Sequence, residues 1–399
     1  MLLNRDRAEE RMERYGLDAL IFTSTPNVIY ASDFEPGRAM ILPRRDRGKP
    51  VLLTSRESLQ WLVTHPTWIS DIRAFGPFSI ATPDQGRLPR SIPKDAQIGL
   101  EDRQLAELWN STPYRNELHE ALSDAMVDLD LAGGKIGLDE SGITYTDADI
   151  LRERFPGAVF LPGARAIGEI RMVKTAEELV RIRHASRMNE LSAMSSTNLV
   201  VEGVVPSYIR ESFYLNVIRK GGHPKWFILR SGSSYVSDPA RTVMRGDAWY
   251  FDSASSFKGY FGDTGRSGYV GDPSKKQVQY YHAIRNGIRE ALNLLKPGVK
   301  ASSIAQAAMR AARKAGCPNY GKEIVGHSLG VEVHELPLIT TAEFFPGVSD
   351  YSLEPGMVLC IEMPFSEIGF AGVHLEKTVH LTSDGFEYLT SEDDGLLSS

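Results

Sequence analysis

Through roughly the first 165 residues, apolar and charged positions alternate in short blocks. RDRAEERMERYG reads as a charged amphipathic helix ended by Gly16, and DALIFTS (18–24) follows as a strand. NVIYAS, AMILP and PVLLTS (50–55) are further short apolar runs, separated by proline, glycine and charge. IGLEDRQL, KIGLDESG and a helix in TDADILRERFP continue the alternation, which predicts an α/β layer around a mixed sheet. The basic PRRDRGKP segment (43–50) reads as a solvated hairpin end.

A boundary falls near 163–175, giving an expected division into 1–165 and 166–399. Thr175 followed by Glu178 is a capping box, after which Leu179, Ile182, Ala185, Met188 and Leu191 keep helical spacing. A second helix is expected around 207–219, and WFILRSG, DAWYFDS and GYFGDTGRSGYV read as strands. Helices of roughly 275–296 and 301–315 come next, ended by Pro297-Gly298 and Gly316. Strands and loops complete the chain, and SEDDGLLSS reads as a frayed tail.

Composition narrows the class. A chain of 399 residues exceeds one ordinary core, and 42% apolar with 24% charged residues is the balance of a soluble globular protein. A net charge of -6 argues against nucleic acid as a partner. Two cysteines, Cys317 and Cys360, are too few for a disulfide framework and read as small buried hydrophobes. MLLNRDRAEE, with only two leucines before its charges begin, does not read as a signal peptide, and no stretch approaches the ~18 apolar residues of a membrane span. The expected setting is the cytoplasm, with no membrane contact.

The second half carries the chemistry. Asp252 ends an apolar run and Asp263 lies eleven residues on, past a Gly-Tyr-Phe-Gly bend, so neighbouring antiparallel strands can aim both carboxylates at one point. Read alone, they are equally well two ordinary strand-end aspartates. His327 follows Gly326 in GHSLGVEVHE, whose glycines permit close backbone approach to a ligand, with His334 seven residues later; read alone, one of the two is as well a surface or satisfied core histidine. Glu362 in VLCIEMPF and Glu376 in GVHLEKTVHL sit in apolar strands, where an unpartnered carboxylate is costly to bury. For Glu376, Lys377 and His374 are the simpler partners. Together, four carboxylates and one imidazole can hold two divalent cations with near charge balance, and hard oxygen ligands suit Mn, Co, Fe or Zn.

In this order and these contexts, the residues resemble the creatinase/prolidase/aminopeptidase P superfamily, which includes methionine aminopeptidases. IRMVKTAEEL, RGDAWYFD, LKPGVKASSI, LEPGMVLCIE and GFEYLT fall in the family's sequence order. The resemblance implies an α+β protein: a pita-bread catalytic domain preceded by a smaller α/β creatinase-type N-terminal domain. It implies that Asp252 chelates one metal, that Asp263 and Glu376 bridge both, and that His327 and Glu362 complete the second. Two cations, Mn foremost with Co, Zn or Fe as alternatives, would share a hydroxide that attacks an amide carbon. Glu362 would take the proton from that water, and His334 would steady the tetrahedral intermediate.

Two departures concern the substrate-facing shell. Family peptidases usually carry a histidine about seventeen residues before the first aspartate, where this chain has Tyr235. An arginine common two residues before the last glutamate is His374 here. His334, Tyr235, Arg241 and His374 are therefore the expected substrate contacts, with Arg230 and Arg266 as further candidate clamps for a carboxylate and Trp226, Tyr260 and Phe261 as candidate lining. The expected reaction is hydrolysis of a C–N amide bond in a dipeptide, an Xaa-Pro peptide or a small amide, by a homodimer. The alternatives are a non-peptidase on the same fold (a dimethylsulfoniopropionate-type lyase, or an ectoine- or creatinase-type hydrolase) and a non-catalytic binding module.

Overall fold

In the computed structural model, which describes every residue except 79–97, 234, 237, 239, 323, 342–348 and 399, the first helix is Arg5–Tyr15. Gly16 closes it at φ 63°, donating to the carbonyls of Glu13 and Met12. Of the three apolar runs that follow, NVIYAS is helical. Helix Thr25–Ser32 opens with Pro26 in its first turn, where a missing N–H costs nothing. AMILP and PVLLTS supply strands Gly37–Pro43 and Val51–Ser55.

The chain divides into two units, Met1–Ile170 and Arg171–Ser399. The first holds a seven-stranded sheet in the order Tyr114–Arg115, Asp71–Phe75, Val51–Ser55, Gly37–Pro43, Ala19–Phe22, Lys135–Leu138, Val159–Pro162. Strand Gly37–Pro43 runs antiparallel to both neighbours and the remaining pairs are parallel, so the sheet is mixed. One face buries Ala19, Ile21, Ile41, Val51 and Leu53 with Leu122, Met126 and Leu151 of helices Leu118–Asp128 and Tyr145–Arg154.

The second unit begins with the helix Ala176–Thr197. Its capping box forms as the sequence predicts: the Glu178 N–H donates to Thr175 Oγ1 (3.3 Å), and the Thr175 N–H donates to Glu178 Oε2 (2.8 Å). This helix packs on strand Tyr260–Tyr269. Gly262 permits the approach, because a Cβ there would lie 2.4 Å from the Ala185 carbonyl oxygen. Strands His223–Ser231, Ala248–Phe257 and Tyr260–Tyr269 form one antiparallel sheet. A second sheet orders Glu335–Thr340, Ile324–Ser328, Val358–Glu362, Glu376–Leu381 and Phe386–Tyr388. Helices Lys275–Asn293 and Ala301–Lys314 share a core with it through Ile284, Ile288, Ile304, Ala308, Leu359 and Ile361.

Two expectations are corrected. The bend before Asp263 is only Lys258-Gly259, both at positive φ as a type I′ hairpin requires, and Asp263 lies inside the returning strand. The end of the chain is also tied down rather than frayed. Leu397 and Ser398 pair in parallel with Gly268 and Tyr269, Asp394 pairs with Arg285 at 2.6 Å, and Lys377 Nζ donates to the carbonyls of Ser391 (2.6 Å) and Asp393 (2.5 Å). Acidic and small residues hid this role, because the partners that hold them are remote in sequence. Among the described residues no helix is long and apolar enough to cross a membrane.

Candidate metal centre

The hairpin sets the first two carboxylates. Asp252 is opposite Gly265 and Asp263 opposite Ala254, so the two aspartates share one face of the sheet as diagonal cross-strand neighbours, two residues apart in register. In the second sheet, Glu362 is opposite Glu376 and His327 opposite Cys360. Carboxylate oxygens of Asp252, Asp263 and Glu376 lie within 4.8 Å of one another, and so do ligand atoms of His327, Cys360 and Glu376. Glu376 is common to both groups. Glu362 is in neither; its oxygens face Lys322 Nζ (3.0 Å from Oε1) and His374 Nε2 (3.3 Å from Oε2).

The electrostatics call for cations. Asp263 and Glu376 are 4% and 2% exposed, and Asp263 Oδ1 and Glu376 Oε1 have no hydrogen-bond partner among the described residues. Burial, then the charges of Asp252 and Glu362, push the Asp263 carboxyl well above its usual range. Burial, then Asp263, Glu362 and Asp252, do the same to Glu376. Burial would raise Glu362 too, but His374 and Lys322 outweigh it and hold that carboxyl below the usual range. His327 Nδ1 lies 3.0 Å from the Ser328 carbonyl, which can only accept, so Nδ1 carries the proton and Nε2 offers its lone pair, 3.9 Å from Asp263 Oδ2. Burial lowers the His327 pKa, which keeps the ring neutral. Lys174 Nζ donates to Ser328 Oγ at 2.7 Å and so steadies the residue that orients His327. Buried carboxylates with orphaned oxygens beside a neutral imidazole fit divalent cations.

Beside this centre lies a cavity of about 470 Å³, bordered by Asp252, Glu362, His374, Lys322, Arg230 and Tyr250 among others. His374 is 2% exposed, and Gly265 makes room for its ring, since a Cβ there would come within 2.7 Å of the imidazole. His334 is exposed, with its ring 4.4 Å from that of His327 and parallel to Trp226. Trp226 Nε1 donates to Asp252 Oδ1 at 2.9 Å. Tyr235 borders the cavity under the Arg230 guanidinium.

The other two arginine candidates are spent elsewhere. Arg241 donates to the Ser231 carbonyl and pairs with Asp247 at 3.3 Å, outside the cavity lining, and Arg266 is buried 3.6 Å from Glu190. Tyr260 is core, its hydroxyl donating to Glu178. Lys322, Tyr250 and the closeness of Cys360 to His327 escaped the sequence reading. Strand register alone would have placed Tyr250 beside Arg230 and Cys360 beside His327, and nothing local marks Lys322.

A helix-flanked pair of sheets holding an acidic, imidazole-containing centre, following a mixed-sheet N-terminal unit in the chain, defines the class as the creatinase/prolidase/aminopeptidase P superfamily. The family model for metallopeptidase family M24 matches residues 180–383, and that for the creatinase/prolidase N-terminal domain matches residues 5–173. The chain belongs to metallopeptidase family M24. It is 29% identical over 261 residues to an Xaa-Pro dipeptidase of Lactobacillus delbrueckii subsp. lactis, spanning 63% of this chain and 69% of that protein. With an Xaa-Pro dipeptidase of Pyrococcus furiosus it shares 26% over 266 residues, 65% of this chain and 74% of the relative. The fold matches the prolidase from Pyrococcus horikoshii OT3 with a TM-score of 0.76 at 20% identity, over 98% of this chain and 99% of that one. It matches the X-Pro aminopeptidase from Thermotoga maritima MSB8 at 0.75 and 20% identity, over 98% and 100%.

Proposed function

We propose that this protein is a metal-dependent dipeptidase that hydrolyses the amide bond of a dipeptide, with Xaa-Pro peptides the first substrates to try. The observation that carries this reading is the convergence of the Asp252, Asp263 and Glu376 carboxylates, two of them buried with orphaned oxygens, within a family M24 domain. The Xaa-Pro dipeptidase relatives support the substrate class.

Asp252, Asp263, His327, Glu362 and Glu376 would hold two divalent cations, with manganese favoured by the oxygen-rich donor set. Such cations, when bound, polarise an amide carbonyl and acidify water at neutral pH. Glu362 receives the water proton at its carboxylate, with His374 Nε2 3.3 Å from that group. His334, beside His327 at the exposed edge, donates to the amide oxygen as charge develops there. The setting is taken as the cytoplasm, which suits two free buried cysteines, and the assembly as a homodimer.

The test is a screen of Xaa-Pro and other dipeptides with Mn, Co, Zn and Fe each supplied, following the released amino group, on the wild type and Glu362→Ala. Hydrolysis by the wild type and a loss of at least about a thousandfold in the folded variant is the expected result. Comparable turnover by the variant, or no peptide cleaved under any metal, overturns the reading, and an alkene product would replace it with a lyase.

A further inference from the structure

Three arginines of the second unit had the chemistry to clamp a carboxylate, and the fold leaves one of them for the cavity. Arg241 and Arg266 face Asp247 and Glu190. Arg230 faces two phenols. Its Nη1 donates to Tyr250 Oη at 2.7 Å, its guanidinium lies 4.3 Å over the Tyr235 ring, and its Nε has no hydrogen-bond partner among the described residues. No carboxylate pairs with it among the described residues. Tyr250 Oη is fixed in turn by Ser366 Oγ at 3.2 Å.

A permanent cation held in place by aromatic rings and lacking a counter-ion on a cavity wall is half of an ion pair. We propose that Arg230 is the specificity residue of this site, receiving a carboxylate of the substrate. The inference rests on the dipeptidase reading and deepens it. Strand register pairs Ile228 with Asp252 and Arg230 with Tyr250, so Arg230 stands two residues, about 6.5–7 Å, along the sheet from the Asp252 level. An extended peptide advances about 3.3–3.6 Å per residue. One residue of substrate beyond the scissile carbonyl, plus the length of the arginine side chain, covers that step. The metal-holding carboxylates, balanced by two divalent ions, offer a substrate anion little attraction. Arg230 does, in a planar fork that matches a carboxylate with two parallel hydrogen bonds. The anion is either the C-terminal carboxylate of a dipeptide or an acidic side chain at that position.

The manganese-loaded wild type, Arg230→Met and Arg230→Gln are compared on Ala-Pro, Ala-Pro amide and Ala-Asp amide, with circular dichroism to verify folding. In the wild type, kcat/KM for the peptide carrying the recognised carboxylate should exceed that for Ala-Pro amide by about a hundredfold, and in both variants the ratio should fall to within about threefold of unity. Preference for Ala-Pro identifies the terminal carboxylate, and preference for Ala-Asp amide identifies the side chain. A ratio in the folded variants equal to that of the wild type overturns the inference while leaving the dipeptidase reading intact. If the wild type cleaves none of the three, the dipeptidase reading fails, and calorimetric binding of the same peptides decides the role of Arg230 separately. Carboxylate-dependent binding at least about tenfold weaker in the variants supports it, and binding indifferent to Arg230 overturns it.

Discussion

Lys322 Nζ lies 3.0 Å from Glu362 Oε1, so the glutamate read as both metal ligand and proton acceptor already has a cation beside it. Together with His374, the pairing keeps Glu362 ionised in the company of Asp263 and Glu376. It also places a positive charge where the proposed metal ions would settle. Lys322→Met is expected to tighten binding of the more weakly held manganese ion by about 1 kcal/mol or more, roughly fivefold, as the screened repulsion disappears. Calorimetric titration of the metal-free protein checks this, and weaker binding in the variant would mean that Lys322 chiefly orients Glu362.

Chelation should destabilise the second unit. Cations that bind only the folded state add stability by mass action, so EDTA is expected to lower Tm and manganese to restore it in proportion to the logarithm of its concentration. Asp263→Asn removes one member of a crowded acidic group. Its metal-free form should melt about 2–4 °C above the metal-free wild type, with manganese giving little further gain. An apo variant that melts below the apo wild type contradicts the repulsion on which the argument rests.

Glu178 gives a pH signature away from the metals. It is 2% exposed, and burial raises its pKa from 4.5 to about 7, although the Thr175 N–H and Lys174 oppose the shift. A raised carboxyl pKa means that the folded state holds a proton the unfolded state releases. Its contribution is full below about pH 4.5 and is lost as pH rises towards about 7. Glu178→Gln keeps the oxygen acceptor of the capping box and removes the titration. Urea unfolding should therefore show a shallower fall in stability between pH 5 and 8 in the variant, and parallel curves would refute the assignment.

Both cysteines are buried and free, and burial lifts the Cys317 thiol to about 12. Thiolate is the reactive form, so neither should react with a thiol reagent in the native protein. The expected count is none before and two after guanidinium unfolding. Rapid labelling of the native state would reveal an opening of the core around Cys317 that the packing does not show.

Sequence reading reached the parts of this molecule that local pattern encodes. The Thr175–Glu178 box, the Gly16 stop and the paired aspartates of one hairpin each depend on residues close in the chain. Glu362 and Glu376 were marked by the cost of placing charge in apolar strands, and the fold sets them opposite each other. What escaped depends on register and on distant partners. Arg230, Arg241 and Arg266 are equivalent as letters, and only Asp247, Glu190 and Tyr250 distinguish them. Cys360 reads as a small hydrophobe until strand pairing brings it beside His327.

The carbonyls that hold Lys377 belong to Ser391 and Asp393, so the strand carrying Glu376 is braced by backbone 14 and 16 residues further along the chain. Displacing those carbonyls would free the lysine next to Glu376, so the brace and the acidic centre are mechanically coupled.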